Sequence, residues 1–132
     1  MAKKFNFKVI TPDGKLLEDE CEILNVVSSS GCLGIMANHL PLVAVLEISH
    51  LNYKKNGVST NIAIGGGVLN VKKEGATILA ESFETKEDLD LKRAEESKRR
   101  AEERLQSKDP NIDMKRAEIA LKKALNRLSL GN

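Results

Sequence analysis

The stretch Leu51-Asn52-Tyr53-Lys54-Lys55-Asn56-Gly57-Val58-Ser59-Thr60-Asn61-Ile62-Ala63-Ile64 decides the fold class of the first part of the chain. Leu51 and Tyr53 alternate with polar neighbours, and an apolar run from Val58 to Ile64 follows Asn56-Gly57. A two-residue β-turn between twisted strands needs positive φ, which Asn and Gly tolerate, so Asn-Gly in this setting predicts a hairpin. Working outward, a period near two recurs from Phe5 to about Ala80, in short runs broken by turn residues. Phe5, Phe7 and Val9 alternate with Asn6 and Lys8, and Pro12-Asp13-Gly14 supplies a preset φ, an Asx acceptor and a permissive glycine for a turn. Leu16–Leu17 and Ile23–Val27 are the next strand candidates, and Lys73-Glu74-Gly75 separates Val68–Val71 from Thr77–Leu79. Gly65-Gly66-Gly67 reads as a bend or bulge between strands, because it lacks the Lys-Ser/Thr of a phosphate loop and opens no helix. About ten short strands at this spacing predict an antiparallel β-sandwich over residues 1–84.

After Glu81 the composition turns to Ala, Leu, Glu, Lys and Arg, the residues that lose least entropy in a helix. Leu91, Ala94, Ala101 and Leu105 form a narrow stripe interrupted by Lys98, flanked by Glu95–Arg99 and Glu96–Arg100 at i,i+4. Asp109-Pro110 reads as the cap and first position of a second helix, in which Met114, Ala117, Leu121, Ala124 and Leu128 repeat the interval and Gly131 ends it. A short connection makes the helices antiparallel neighbours, so residues 85–132 are expected to form a helical hairpin. Its Ala-rich seam buries little area and is therefore weak.

Composition narrows the function. The 132 residues allow one good core plus an appendage. Lys and Arg number 21 against 19 Asp and Glu, and aromatics make up 3%, which argues against a nucleic-acid partner. Met1-Ala2-Lys3-Lys4-Phe5 leads into alternating residues, so neither a signal peptide nor a membrane-inserting helix is expected. Cys21 and Cys32 form no CxxC pair and read as reduced small hydrophobes. His39 has no His, Cys or carboxylate at ligand spacing, His50 reads as an ordinary strand residue, and no Ser-His-Asp or paired-carboxylate set exists. No metal site and no chemistry of its own are expected.

Three stretches stand out: Ile10-Thr11-Pro12-Asp13-Gly14, then Ser30-Gly31-Cys32-Leu33-Gly34-Ile35-Met36-Ala37-Asn38-His39-Leu40-Pro41-Leu42 joined by Gly66-Gly67-Val68-Leu69-Asn70-Val71, and Leu89-Asp90-Leu91-Lys92-Arg93-Ala94. Taken together they resemble the epsilon subunit family of bacterial F-type ATP synthases. Cys32 stands where the family has an acidic residue, and Ala37 where it has Pro. The resemblance implies a non-catalytic rotor subunit at the cytoplasmic face of the bacterial cell membrane, peripheral and without membrane insertion of its own. Its sandwich would dock on the gamma subunit and on c-ring loops, through Ser29, Ser30, Gly31, Cys32 and His39. Its hairpin would extend toward the alpha and beta catalytic subunits and brake ATP hydrolysis. The resemblance also carries a regulatory ATP site, with no cofactor required, onto Glu84, Asp90, Arg93, Arg100 and Arg127, and onto Lys123 where ATP-binding relatives have Arg. The spacing agrees: Arg93 and Arg100 lie nearly in register with Asp90 nearby, and Lys123 and Arg127 form a cationic i,i+4 pair suited to a polyphosphate. The alternatives are a free-standing nucleotide-sensing adaptor with no synthase partner and a small enzyme.

Overall fold

The computed structural model describes residues 3–131; Met1 and Ala2 of the leading stretch, and Asn132, lie outside the described residues. In chain order the elements are β1 (Phe5–Ile10), β2 (Leu16–Cys21), β3 (Ile23–Ser28), β4 (Gly31–Met36), β5 (Leu42–Lys55), β6 (Val58–Lys72), β7 (Gly75–Ala80), β8 (Phe83–Glu84), α1 (Leu91–Gln106) and α2 (Met114–Leu130). The hydrogen-bonded path runs β2-β1-β7-β6-β5-β3-β4, with β8 on β6.

The Asn-Gly reading holds: Lys55 pairs with Val58, and Asn56 and Gly57 take φ of 51° and 81°. The strands number eight among the described residues instead of about ten, because β5 and β6 are 14 and 15 residues long. The start of β5 pairs with the end of β6, which continues onto β7, while the end of β5 pairs with both β3 and the start of β6. Each long strand therefore serves both layers of the sandwich. Gly65-Gly66-Gly67 lies inside β6 at this crossover, bending a strand rather than separating two. Gly67 is required there, since φ is 156° and a Cβ would collide with the Leu79 carbonyl. One pairing departs from the antiparallel expectation: β1 runs parallel to β7, from Phe7↔Ala76 to Ile10↔Leu79. Most of the sandwich lies between these strands in sequence, so the long crossover that a parallel pair needs is present.

The inward residues of both layers form one core that includes Val9, Leu24, Ile35, Leu51, Ile62, Ile64, Leu69, Ile78 and Phe83. Each such side chain contributes about 1.5–3 kcal/mol on leaving water. Cys21 is fully buried, and burial pushes its thiol up to about 12, so it acts as a small hydrophobe, whereas Cys32 is exposed on β4. Among the described residues, none from the hairpin belongs to the sandwich core.

The helices bury Ala94 and Ala101 against Ala117 and Ala124, with Leu130 closing the end. The second helix starts later than Asp109-Pro110: Asp109 caps a turn by accepting from Asn111 N–H at 2.9 Å, and Asp113 caps α2 by accepting from Arg116 N–H at 3.1 Å. Two aspartates compete for the cap, and the second fits because it lies directly before the apolar stripe. Arg100 turns Nε to the Glu96 carbonyl at 3.5 Å instead of to its carboxylate. Gly131 ends α2 in a right-handed conformation, and its missing Cβ makes room for the methyl groups of Leu89 and Leu91.

Candidate functional site

Antiparallel pairing puts His50, Ala63 and Glu84 in one row, because Ala63 pairs with His50 on β5 and with Glu84 on β8. Directly paired residues share a face, so a small residue stands between a ring and a carboxylate. Helix α2 settles over this row. The Asn126 carbonyl lies 2.9 Å from His50 Nε2, and since a carbonyl only accepts, Nε2–H is the donor. Ser129 Oγ lies 2.9 Å from the same nitrogen and donates to the Asn126 carbonyl at 2.8 Å. The Asn126 side-chain amide donates to the backbone carbonyls of Ser49 at 2.9 Å and Ile64 at 3.4 Å. Beyond Ala63, Arg127 Nε meets Glu84 Oε1 at 2.5 Å, and Lys123 Nζ stands 3.8 Å from Glu81. His50, read from sequence as an ordinary strand residue, is thus part of a polar latch with Asn126 and Ser129. No local pattern marks it, since the latch joins positions 76 to 79 residues apart.

Of the residues proposed for a nucleotide, the structure brings together Glu84, Lys123 and Arg127. With Ile64, Ser82 and Asn126 they line a cavity of about 10 Å³. Asp90, Arg93 and Arg100 do not line it. Asp90 is occupied as the α1 cap, accepting from Arg93 N–H at 3.1 Å, and the Arg93 and Arg100 side chains are exposed. Pockets that enclose drug-sized ligands measure about 300–1,000 Å³, far more than this cavity, and Lys123 and Arg127 are here partnered by Glu81 and Glu84. Among the described residues no cluster of three or more His, Cys, Asp or Glu is placed to hold a metal ion.

A second feature spans the sandwich. Leu16, Ile10, Leu79, Val68 and Val45 are successive partners across β2, β1, β7, β6 and β5. Four of them are exposed large hydrophobics, Leu16 at 53%, Leu79 at 57%, Val68 at 37% and Val45 at 59%. Single exposed hydrophobics are ordinary, but a contiguous row on a folded surface marks an interaction site. The β3–β4 turn adjoins its end, because Ser29 N–H donates to the Val45 carbonyl at 2.9 Å.

Residues 4–86 match the family described as ATP synthase, Delta/Epsilon chain, beta-sandwich domain, and residues 87–130 match its long alpha-helix domain. The chain belongs to the ATP synthase delta/epsilon chain family. It is 44% identical to the ATP synthase epsilon chain of Bacillus licheniformis over 128 residues, 97% of this chain and 98% of that one. It is 45% identical to the epsilon chain of Bacillus cytotoxicus over 130 residues, 98% of each. In fold it resembles a chain of the Euglena gracilis mitochondrial ATP synthase, with a TM-score of 0.76 at 20% identity, covering 93% of this chain and 78% of that one. A chain of the Tetrahymena thermophila mitochondrial ATP synthase central stalk and c-ring gives 0.59 at 14% identity, covering 98% of each.

As a delta/epsilon family member the chain is a non-catalytic subunit of ATP synthase, and membership supports that reading over a free-standing adaptor. No helix among the described residues is long and apolar enough to cross a membrane. Of the residues assigned to partner contact, Ser29 and Ser30 form the exposed β3–β4 turn, and Gly31 and Cys32 open β4. His39 is exposed after β4, with Nδ1 2.7 Å from the Leu40 carbonyl. The apolar row of the delta/epsilon sandwich escaped the sequence reading because its members come from five strands and meet only through register.

Proposed function

We propose that the sandwich docks on the gamma subunit and on polar c-ring loops at the cytoplasmic face of the bacterial membrane, and that the hairpin is a brake on ATP hydrolysis which ATP holds closed. One observation carries the reading: the hairpin has its own Ala seam and rests on the sandwich through the latch and ion pairs of α2. Each hydrogen bond contributes about 0.5–1.5 kcal/mol net, and each exposed ion pair about 0–1 kcal/mol. The dock is therefore worth a few kcal/mol, close to the ~5.5 kcal/mol of differential binding that reverses a two-state population from 1:99 to 99:1. The exposed row supports gamma docking, and the Ser29–Cys32 turn beside it supports contact with polar c-ring loops.

For ATP, the reading requires Lys123 and Arg127 to exchange Glu81 and Glu84 for phosphate oxygens while Arg93 and Arg100 reach the same ligand from α1. Guanidinium groups bind phosphate through paired charge-assisted hydrogen bonds, and Lys123 supplies charge without the planar fork. Calorimetric titration of the isolated chain with ATP tests this. Saturable binding is expected, weakened at least ~10-fold (about 1.4 kcal/mol) by Arg93→Ala and by Arg127→Ala. Absence of binding at millimolar ATP, or equal affinity in both variants, would remove the ligand site.

A further inference from the structure

If the hairpin moves, as proposed above, the chain must bend at some point between the last strand and the first helix. We infer that it bends at the Asp88–Leu89 step, because Lys15 clamps everything up to Asp88 to the sandwich while Leu89 onward is packed into the hairpin.

On the sandwich side, Phe83 is buried in the core and β8 pairs with β6. Lys15 closes over this segment: its ammonium donates to the Phe83 carbonyl at 2.9 Å and to Asp88 Oδ2 at 2.9 Å, and stands 4.5 Å from the centre of the Phe83 ring. A cation over an aromatic face adds to the attachment. The base of the clamp is itself tied into the β1–β2 turn, with Lys15 N–H donating to Thr11 Oγ1 at 3.0 Å and Thr11 N–H to the Lys15 carbonyl at 3.0 Å. Residues 85–88 fold back as a closed turn, in which Thr85 N–H donates to Asp88 Oδ2 at 3.1 Å and Asp88 N–H to the Thr85 carbonyl at 3.1 Å. The hydrogen bond from Lys15 holds the Asp88 carboxyl below the ordinary aspartate value, as a paired carboxylate requires.

On the hairpin side, the Leu89 and Leu91 methyl groups close over Gly131 at the end of α2, and Asp90 caps α1. The backbone hydrogen bond across the step, from Leu89 N–H to the Lys86 carbonyl, is long at 3.4 Å. A hinge needs only a few residues that absorb a change of φ and ψ. Lys15, on a distant turn, is thus a positioning residue that sets where the hairpin pivots.

Spin-label distances in the full-length chain test this, in a Cys32→Ser background that leaves the buried Cys21 unlabelled. One protein carries labels at Lys73→Cys and Lys86→Cys, the other at Lys73→Cys and Arg99→Cys; Lys73, Lys86 and Arg99 are all exposed. The hairpin is freed by His50→Ala, Asn126→Ala and Arg127→Ala together. The expected result is a broadened or shifted 73–99 distance with the 73–86 distance unchanged, and a 73–86 distance that joins the change when Lys15→Met is added. If both distances change while Lys15 is intact, the hairpin moves but the pivot lies earlier, and the inference is overturned. If neither changes, the inference falls together with the mobile hairpin.

Discussion

Deleting residues 89–132 is expected to leave the synthase assembled and to raise its ATP hydrolysis severalfold. Among the described residues the sandwich core contains none from the hairpin, so the remaining fragment keeps its packing and the surfaces assigned to docking. The cut belongs after Asp88 rather than near Ser82, where the change of composition first suggests it. Phe83 is 4% exposed and part of the core, and β8 pairs with β6 through Ala63↔Glu84 and Ile64↔Phe83. A shorter fragment would lose stability along with the brake and confuse the two effects. Hydrolysis unchanged by the deletion, measured on purified complex, would eliminate the brake, and failure to assemble would mean that the hairpin carries the docking.

Phe83→Ala should cost about 3–5 kcal/mol of sandwich stability, the range for truncating a buried aromatic ring. The ring sits in the core and also underlies the Lys15 ammonium, so its removal leaves a cavity and deprives the clamp of its face. Urea unfolding of the full chain and of residues 1–88 should show similar losses, because the ring is a member of the sandwich core. A loss below about 1 kcal/mol in the short form, with a large loss only in the full chain, would assign the ring to hairpin docking instead.

Features written in neighbouring residues were legible from sequence. Asn56-Gly57 produced its hairpin, and the Ala/Leu intervals produced two helices whose buried alanines are those on the stripe. Features made by distant residues were not. Gly65-Gly66-Gly67 looks like an interruption, yet β6 continues through it because β5 and β7 pair with its end while β5 and β8 pair with its start. The row from Leu16 to Val45 exists only once five strands are in register. His50 gains its meaning from Asn126 and Ser129 on a helix whose placement local periodicity does not determine. The cations were also visible as types at helical spacing, but spacing does not reveal a competing carboxylate: Arg127 is paired with Glu84 and Lys123 stands near Glu81. Asp109 and Asp113 show the same limit on a smaller scale, since two adequate caps lie four residues apart and tertiary packing chooses between them.

Native-state hydrogen exchange on the isolated full-length chain tests most directly whether two separable bodies share this polypeptide. Amides of α1 and α2 should exchange as one unit, at an opening free energy well below that of β5, β6 and β7, while the amide of Asp88 stays with the slower sandwich. If helix and core-strand amides instead exchange together in a single global opening, sandwich and hairpin are one cooperative body, and neither a mobile brake nor a hinge at Asp88–Leu89 survives.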